Sequence, residues 1–447
     1  MSISPGDTLT IAAHEVMATL SQHVLVDGYD LVLDIRKSSG SWLVDARDGR
    51  RYLDMFSFFA SLPLGMNHPG LVEDRAFLDD LATAALHKVS NPDVYTVEYA
   101  RFVATFHRVL GDPELPHLFF IDGGALAVEN ALKIAFDWKA KRDGLPGHRD
   151  YQVLHLASAF HGRSGYTLSV TNTDPAKTAL FPRWSWPRVP VPAVRFPLAR
   201  DRAERAEADS LAHARAALDA ADGTIACFLL EPIQGEGGDN HLRVEFLQQI
   251  ERLCHEHDIL LVLDEVQTGC GLTGTAWAYQ QLGIRPDLVA FGKKTQVCGV
   301  MGGRRVDLVP DNAFRVSSRI SSTWGGNLAD MVRATRILEI IEESALIARA
   351  ASTGKHLTAG LSALATTFPN LVTNVRGRGL MCAFDLPDPS LRDEVVTRMR
   401  VDDGVLILPS GTCSVRFRPA LTVSPSELDL ALGALHRALA PHSRGEQ

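Results

Sequence analysis

The chain has 447 residues, enough for roughly two or three domains. Its 46% hydrophobic and 22% charged residues give a globular composition that excludes disordered and fibrous classes. Lys+Arg total 45 against 53 for Asp+Glu, and the resulting charge of −8 lies in no long like-charge block, which excludes the basic footprint of a nucleic-acid binder. Six cysteines (Cys227, Cys254, Cys270, Cys298, Cys382 and Cys413) show neither a CxxC pair nor metal-like spacing with histidine, so they read as reduced thiols. Residues 1–20 carry no basic segment ahead of an apolar stretch, and the longest apolar runs are far too short to span a membrane. The expectation is a soluble cytoplasmic protein without a leader.

The first seventy residues predict short strands at Asp30–Asp34, Trp42–Asp45 and Arg51–Asp54, with a turn at Asp48-Gly49. Beyond them the pattern changes. Leu118–Ile121, Val153–Leu156, Ala226–Leu230, Ile259–Leu263 and Leu288–Phe291 are short apolar runs of the kind found in strands buried on both faces of a parallel sheet. Between them Val128, Ala131, Leu132, Ala135 and Phe136 repeat at helical spacing, and Arg243–His257 reads as a helix leading into the next strand. This alternation predicts a large α/β domain over residues 70–330. From residue 331 helices mix with short strands near Leu380–Leu386 and Val415–Phe417. The two ends, 1–69 and 331–447, are expected to pack as a smaller α+β domain.

In open α/β sheets ligands sit beyond the carboxyl ends of strands, so the residues after each run carry the chemistry. After Ile121 comes Asp122-Gly123-Gly124-Ala125, a turn whose N–H groups can close on an anion at a helix N-terminus, or which serves only as a tight connection. After Leu263 comes Asp264, a carboxylate that needs a cation: a protonated pyridine nitrogen, or a structural salt-bridge partner. After Phe291 comes Gly292-Lys293-Lys294, where a lysine can be tuned into a nucleophilic amine or can be plain solvated surface. Each signal is weak alone. Together, a glycine turn, an aspartate and a lysine meet three needs of pyridoxal 5′-phosphate: phosphate, ring nitrogen and aldehyde.

Longer stretches carry a resemblance. Asp264-Glu265-Val266-Gln267-Thr268-Gly269, with Asp287–Lys293 following, resembles the signature of the class III pyridoxal-phosphate aminotransferases. So do Phe160-His161-Gly162-Arg163, Glu231-Pro232-Ile233-Gln234-Gly235-Glu236-Gly237-Gly238, Ser321–Asn327, Tyr52-Leu53-Asp54 and Leu64–Pro69. Within that class Gly123–Lys133, Met55–Ser61 and Lys293–Val300 are most similar to the branch that acts on the 6-amine of lysine.

The resemblance implies a fold type I architecture, a pyridoxal-phosphate cofactor and a homodimer with shared active sites. It implies that Lys293 binds the cofactor's aldehyde covalently and then shuttles a proton, whereas Lys294 is structural. Asp264 would keep the ring nitrogen protonated, Gln267 would meet the ring's 3-oxygen and Phe160 would stack on the ring, with His161 beside it. Gly124 and Ala125 would hold the phosphate. Many members carry a hydroxyl-bearing triplet where this chain has Gly123-Gly124-Ala125, so backbone N–H groups must serve here. Thr323 would reach the phosphate of the partner's site. Arg163 would bind a substrate carboxylate, Arg416 the α-carboxylate of glutamate, and Glu236 would mask Arg416 while an amine substrate is bound. Glu231 would support the site from outside it.

The implied substrates are L-lysine and 2-oxoglutarate. Transfer from ornithine or 4-aminobutyrate stays open, because a methylene in an apolar pocket is worth only about 1–3 kcal/mol. A cofactor-dependent isomerase or aminomutase also stays open, since it would use Lys293 and Asp264 alike. No metal, nucleic acid or membrane enters the reading.

Overall fold

The apolar runs become strands of one sheet in a computed structural model that describes residues 10–144 and 149–444. The first nine residues, on which part of the leader reading rests, lie outside the described residues. In chain order the strands are β1 (Trp42–Val44), β2 (Arg51–Asp54), β3 (His117–Ile121), β4 (Gln152–Leu156), β5 (Arg188–Val189), β6 (Ile225–Leu230), β7 (Ile233–Gln234) and β8 (Asn240–His241). There follow β9 (Leu260–Asp264), β10 (Leu288–Phe291), β11 (Cys298–Gly302), β12 (Thr373–Arg378), β13 (Met381–Asp385), β14 (Val405–Leu406), β15 (Leu408–Ser410) and β16 (Ser414–Phe417).

Seven strands form the large sheet in the order β3-β11-β10-β9-β6-β4-β5. All run parallel except β11, which is antiparallel to both its neighbours. Buried side chains cover both faces of β6, β9 and β10, which is why each reads as a continuous apolar run. The antiparallel strand has no such signal in the sequence, because Cys298-Gly299-Val300-Met301-Gly302 is glycine-rich. Gly299 is required there: a Cβ would lie 2.1 Å from the Phe119 carbonyl oxygen.

The helix Gly124–Arg142 lies against β10 and β11 and is buried on more than the one predicted face, with Ile134 and Trp138 as well as Val128, Ala131, Leu132 and Ala135 enclosed. The predicted helix at Arg243–His257 is observed as Val244–Glu256. Register then sets the site. Asp264 at the end of β9 stands beside Ala290 on β10, and Leu230 on β6 stands beside Leu263. Glu231, Asp264 and Lys293 therefore leave three adjacent strands at one edge of the sheet.

Three smaller sheets accompany this one among the described residues, the last being the antiparallel pair β7-β8. In the first, β2 pairs antiparallel with β1 and parallel with β14, Leu53 opposite Val405, which ties the start of the chain to its end. The second is β12-β13-β16-β15, antiparallel throughout. Asp30–Asp34 is not a strand: Leu33 makes a single bridge to Asp45. The reason is local, because the Asp34 carboxylate accepts from the N–H groups of Arg36 and Lys37 and turns the chain there. Residue 331 lies inside the helix Leu328–Glu343, which packs on the helices Val97–Leu110 and Arg75–Ala85. Among the described residues no helix is long and apolar enough to cross a membrane.

Candidate active site

At the carboxyl edge of the large sheet lies a cavity of about 440 Å³. Its wall contains Gly124, Ala125, Phe160, His161, Arg163, Glu231, Glu236, Asp264, Gln267 and Lys293. All but Glu231 were expected at the site itself, and Glu231 was expected to support it from outside. Arg416, expected at the same site, and Thr323, expected at a partner's site, do not line this cavity. Arg416 lines an adjoining cavity with Tyr29, Phe59 and Arg400. Thr323 is exposed and does not line the cavity of its own chain.

The floor is built from opposed charges. Asp264 is 5% exposed, accepts from the Val266 N–H (3.0 Å) and accepts from His161 Nδ1 (2.8 Å). That partner assigns the His161 tautomer, and its buried Nε2 has no hydrogen-bond partner among the described residues. Glu231 accepts from the N–H groups of Phe160 (3.1 Å) and Gly235 (2.9 Å), and burial pushes its carboxyl up to about 7. Lys293 sits at φ 55°, in the left-handed region, directly after β10. Burial, then the positive field of Arg416, lowers its amine to about 8, so the free base needed by a nucleophile is within easy reach.

The two lysines divide the work by direction. Lys294 is 2% exposed and turns away from the cavity, donating to the carbonyls of Ala60 (3.1 Å) and Gln267 (2.8 Å). It thereby braces Ser57–Ala60, four successive non-glycine residues with φ between 40° and 64°. Such backbone is strained and persists only where its surroundings hold it. Lys294→Met, which leaves both carbonyls without a donor, is expected to lower stability by roughly 1–3 kcal/mol. Burial lowers the Lys294 ammonium from 10.5 to about 7. Folding therefore releases a proton between those values, and wild-type stability rises with pH across that window by up to roughly 1.4 kcal/mol per unit. Urea melts of holoenzyme at pH 7 and pH 9 should show the gap to Lys294→Met widening. An unchanged gap would refute the assignment.

Opposite Asp264 the helix Gly124–Arg142 points its N-terminus into the cavity. Gly123, at φ 100°, makes the turn, and no side chain caps the helix. Gly162 closes the same corner, since a Cβ there would lie 2.5 Å from that of Ala125. The uncapped N–H groups at Gly124 and Ala125 fit a phosphate, the buried Asp264 fits a protonated ring nitrogen, and Lys293 fits an aldehyde. The residues present thus match pyridoxal phosphate at three separate points.

Sequence reasoning missed an anchor beneath Gln267. Arg418 is fully buried, ion-pairs with Asp239 through Nη2, and donates from Nε to Gln267 Oε1 (3.0 Å). With its oxygen engaged, Gln267 has its amide N–H groups left to offer the cavity that it lines. The signal was available: Arg416 and Arg418 are two apart beside a strand that must be buried, and two guanidinium groups there demand partners. Glu236, expected to mask Arg416 only while an amine substrate is bound, has other partners here. Its Oε1 accepts from Thr173 Oγ1 (2.9 Å) and from Lys177 Nζ, while Arg416 keeps Nε and Nη1 buried with no hydrogen-bond partner among the described residues.

Residues 25–439 match the family model described as Aminotransferase class-III. The chain is 64% identical over 437 residues to an L-lysine-epsilon aminotransferase of Amycolatopsis lactamdurans, covering 97% of each chain. It is 63% identical to that of Streptomyces clavuligerus, over 96% of this chain and 95% of the relative. A solved structure of lysine aminotransferase from M. tuberculosis in the internal aldimine form superposes with a TM-score of 0.95 at 58% identity, over 96% of this chain and 100% of that one.

Proposed function

The chain belongs to the class III aminotransferases, and from that premise we propose that it transfers the ε-amino group of L-lysine to 2-oxoglutarate. The products are L-glutamate and 2-aminoadipate 6-semialdehyde, which cyclises to the piperideine carboxylate. The observation that carries this reading is the cavity itself. Lys293, Asp264 and a helix N-terminus converge in it, with Arg163 at its edge and Arg416, whose Nε and Nη1 have no partner among the described residues, beside it. The lysine branch in particular rests on identity above 60% to the lysine-specific relatives.

Pyridoxal phosphate, when bound, supplies an aldehyde for the amine and a ring that takes up the electrons of the broken C–H bond. The chain's residues do the rest. Lys293 Nζ would take the proton from the substrate's amine-bearing carbon, a general-base role suited to its lowered pKa. Asp264, steadied by His161 and Val266, keeps a proton on the ring nitrogen. Gln267, oriented by Arg418, donates to the ring's 3-oxygen, and Phe160 covers the ring. Gly124 and Ala125 bind the phosphate. Arg163 binds the α-carboxylate of lysine with its planar fork.

Two carboxylates of 2-oxoglutarate need two cations, and Arg416 is the second. Arg416 beside an apolar methylene chain would disfavour lysine, so Glu236 has to neutralise it in that half-reaction. The exposed Thr323, away from its own cavity, supports a homodimer in which each copy completes the other's phosphate site. Six unpaired cysteines support a cytoplasmic location.

Half-reactions separate this reading from its rivals. Lysine alone should bleach the holoenzyme's visible absorption, and aminobenzaldehyde should trap cyclic product in repeated turnover only after 2-oxoglutarate is added. Glu236→Ala should impair the lysine half-reaction more than the glutamate one. Faster bleaching by ornithine or 4-aminobutyrate would overturn the donor assignment, and turnover of lysine without a keto acid would replace it with an isomerase.

A further inference from the structure

We propose that Lys177 sets the acceptor specificity of this site, by holding Glu236 away from Arg416. The proposal rests on the function assigned above and adds a residue to it. Lys177 ends a short helical turn, Pro175–Lys177, and its Nζ ion-pairs with Glu236 Oε1 while lying 5.6 Å from the centre of the Phe160 ring. Thr173, two residues before that turn, donates to the same oxygen. Glu236 is thus tethered by two residues of one loop.

Arg416 is left as the unsatisfied group. It is 6% exposed, its Nε and Nη1 find no partner among the described residues, and it feels the field of Glu236 without bonding to it. A buried guanidinium with vacant donors is costly until an anion arrives. With Glu236 held by Lys177, the arrangement presents Arg416 to the second carboxylate of a dicarboxylate. With Glu236 swung onto Arg416, the site would be neutral there and suited to the methylene chain of a diamine.

The exchange is energetically easy on the Lys177 side. The side chains of Lys177 and Glu236 are 30% and 24% exposed, so water can receive the ammonium when the pair opens. Ion pairs of that exposure contribute little on their own, which lets the bound substrate decide between the two positions. Lys177 is therefore a positioning residue acting through Glu236, not a ligand of the substrate.

The test uses holoenzyme and the unreactive dicarboxylate glutarate, whose binding is read from the shift in cofactor absorption. Lys177→Met should weaken glutarate and raise the KM for 2-oxoglutarate about three- to fivefold, with kcat of that half-reaction and the KM for lysine changed far less. Lys177→Arg, which can still hold Glu236, should restore glutarate binding. In a Glu236→Ala background Lys177→Met should have no further effect on glutarate. Loss of glutarate binding in the double variant equal to that in the single would make Lys177 a direct ligand and overturn the proposal. So would equal losses for glutarate and lysine, which mark general damage. If wild-type holoenzyme is bleached by lysine yet Lys177→Met binds glutarate normally, this inference fails and the assigned reaction stands. If lysine never bleaches the wild type, the reaction assignment itself fails.

Discussion

Replacing Lys293 by alanine is expected to remove the visible absorption of covalently held cofactor and to lower turnover roughly 10⁴-fold. Two roles are lost together, the amine that captures the aldehyde and the base that carries the proton. No neighbour can replace it. Lys294 is adjacent in sequence, but its amine is engaged by the carbonyls of Ala60 and Gln267. Spectra of Lys293→Ala and Lys294→Ala, recorded with added cofactor, make the comparison directly: the band should vanish in the first and persist in the second. A persistent band in Lys293→Ala would remove Lys293 from the site.

Asp264→Asn is expected to reduce kcat by roughly 10³-fold, about 4 kcal/mol, because a preorganised charge opposite the ring nitrogen is lost while the shape is kept. The His161 contact can survive, since an asparagine oxygen also accepts from Nδ1 at the observed spacing. The amide nitrogen then faces the Val266 N–H, so the loss reports the charge together with that one backbone contact. Cofactor affinity should fall by a smaller factor, because the helix N-terminus at Gly124 and Lys293 still hold the other end. A variant with full kcat would show that Asp264 is only a structural partner of His161.

Large parts of the fold and the site are legible in the order of residues alone. Strands buried on both faces have to be apolar throughout, so β6, β9 and β10 stand out as runs, and the polar residues that follow them mark the sheet edge. Glycines at the β3-to-helix turn are legible because Gly123 needs a left-handed backbone. What fails to register is either too short or too dependent on partners. Two-residue β5 has no period to detect, glycine-rich β11 has no apolar pattern, and Asp30–Asp34 looks like a strand until its own aspartate turns the chain.

The chain's own order of residues determined the reaction class, because the lysine, the aspartate and the glycine turn each follow an element that can be identified locally. Only the tertiary structure decided which charges meet. Lys177 and Glu236 are 59 residues apart, and Asp239 and Arg418 are 179 apart. Such pairings follow from how loops from distant segments crowd against one sheet edge. Charge neutralisation in a cavity depends on distances that no spacing along the chain encodes, so the identity of each charge was in the sequence and its partner was in the fold.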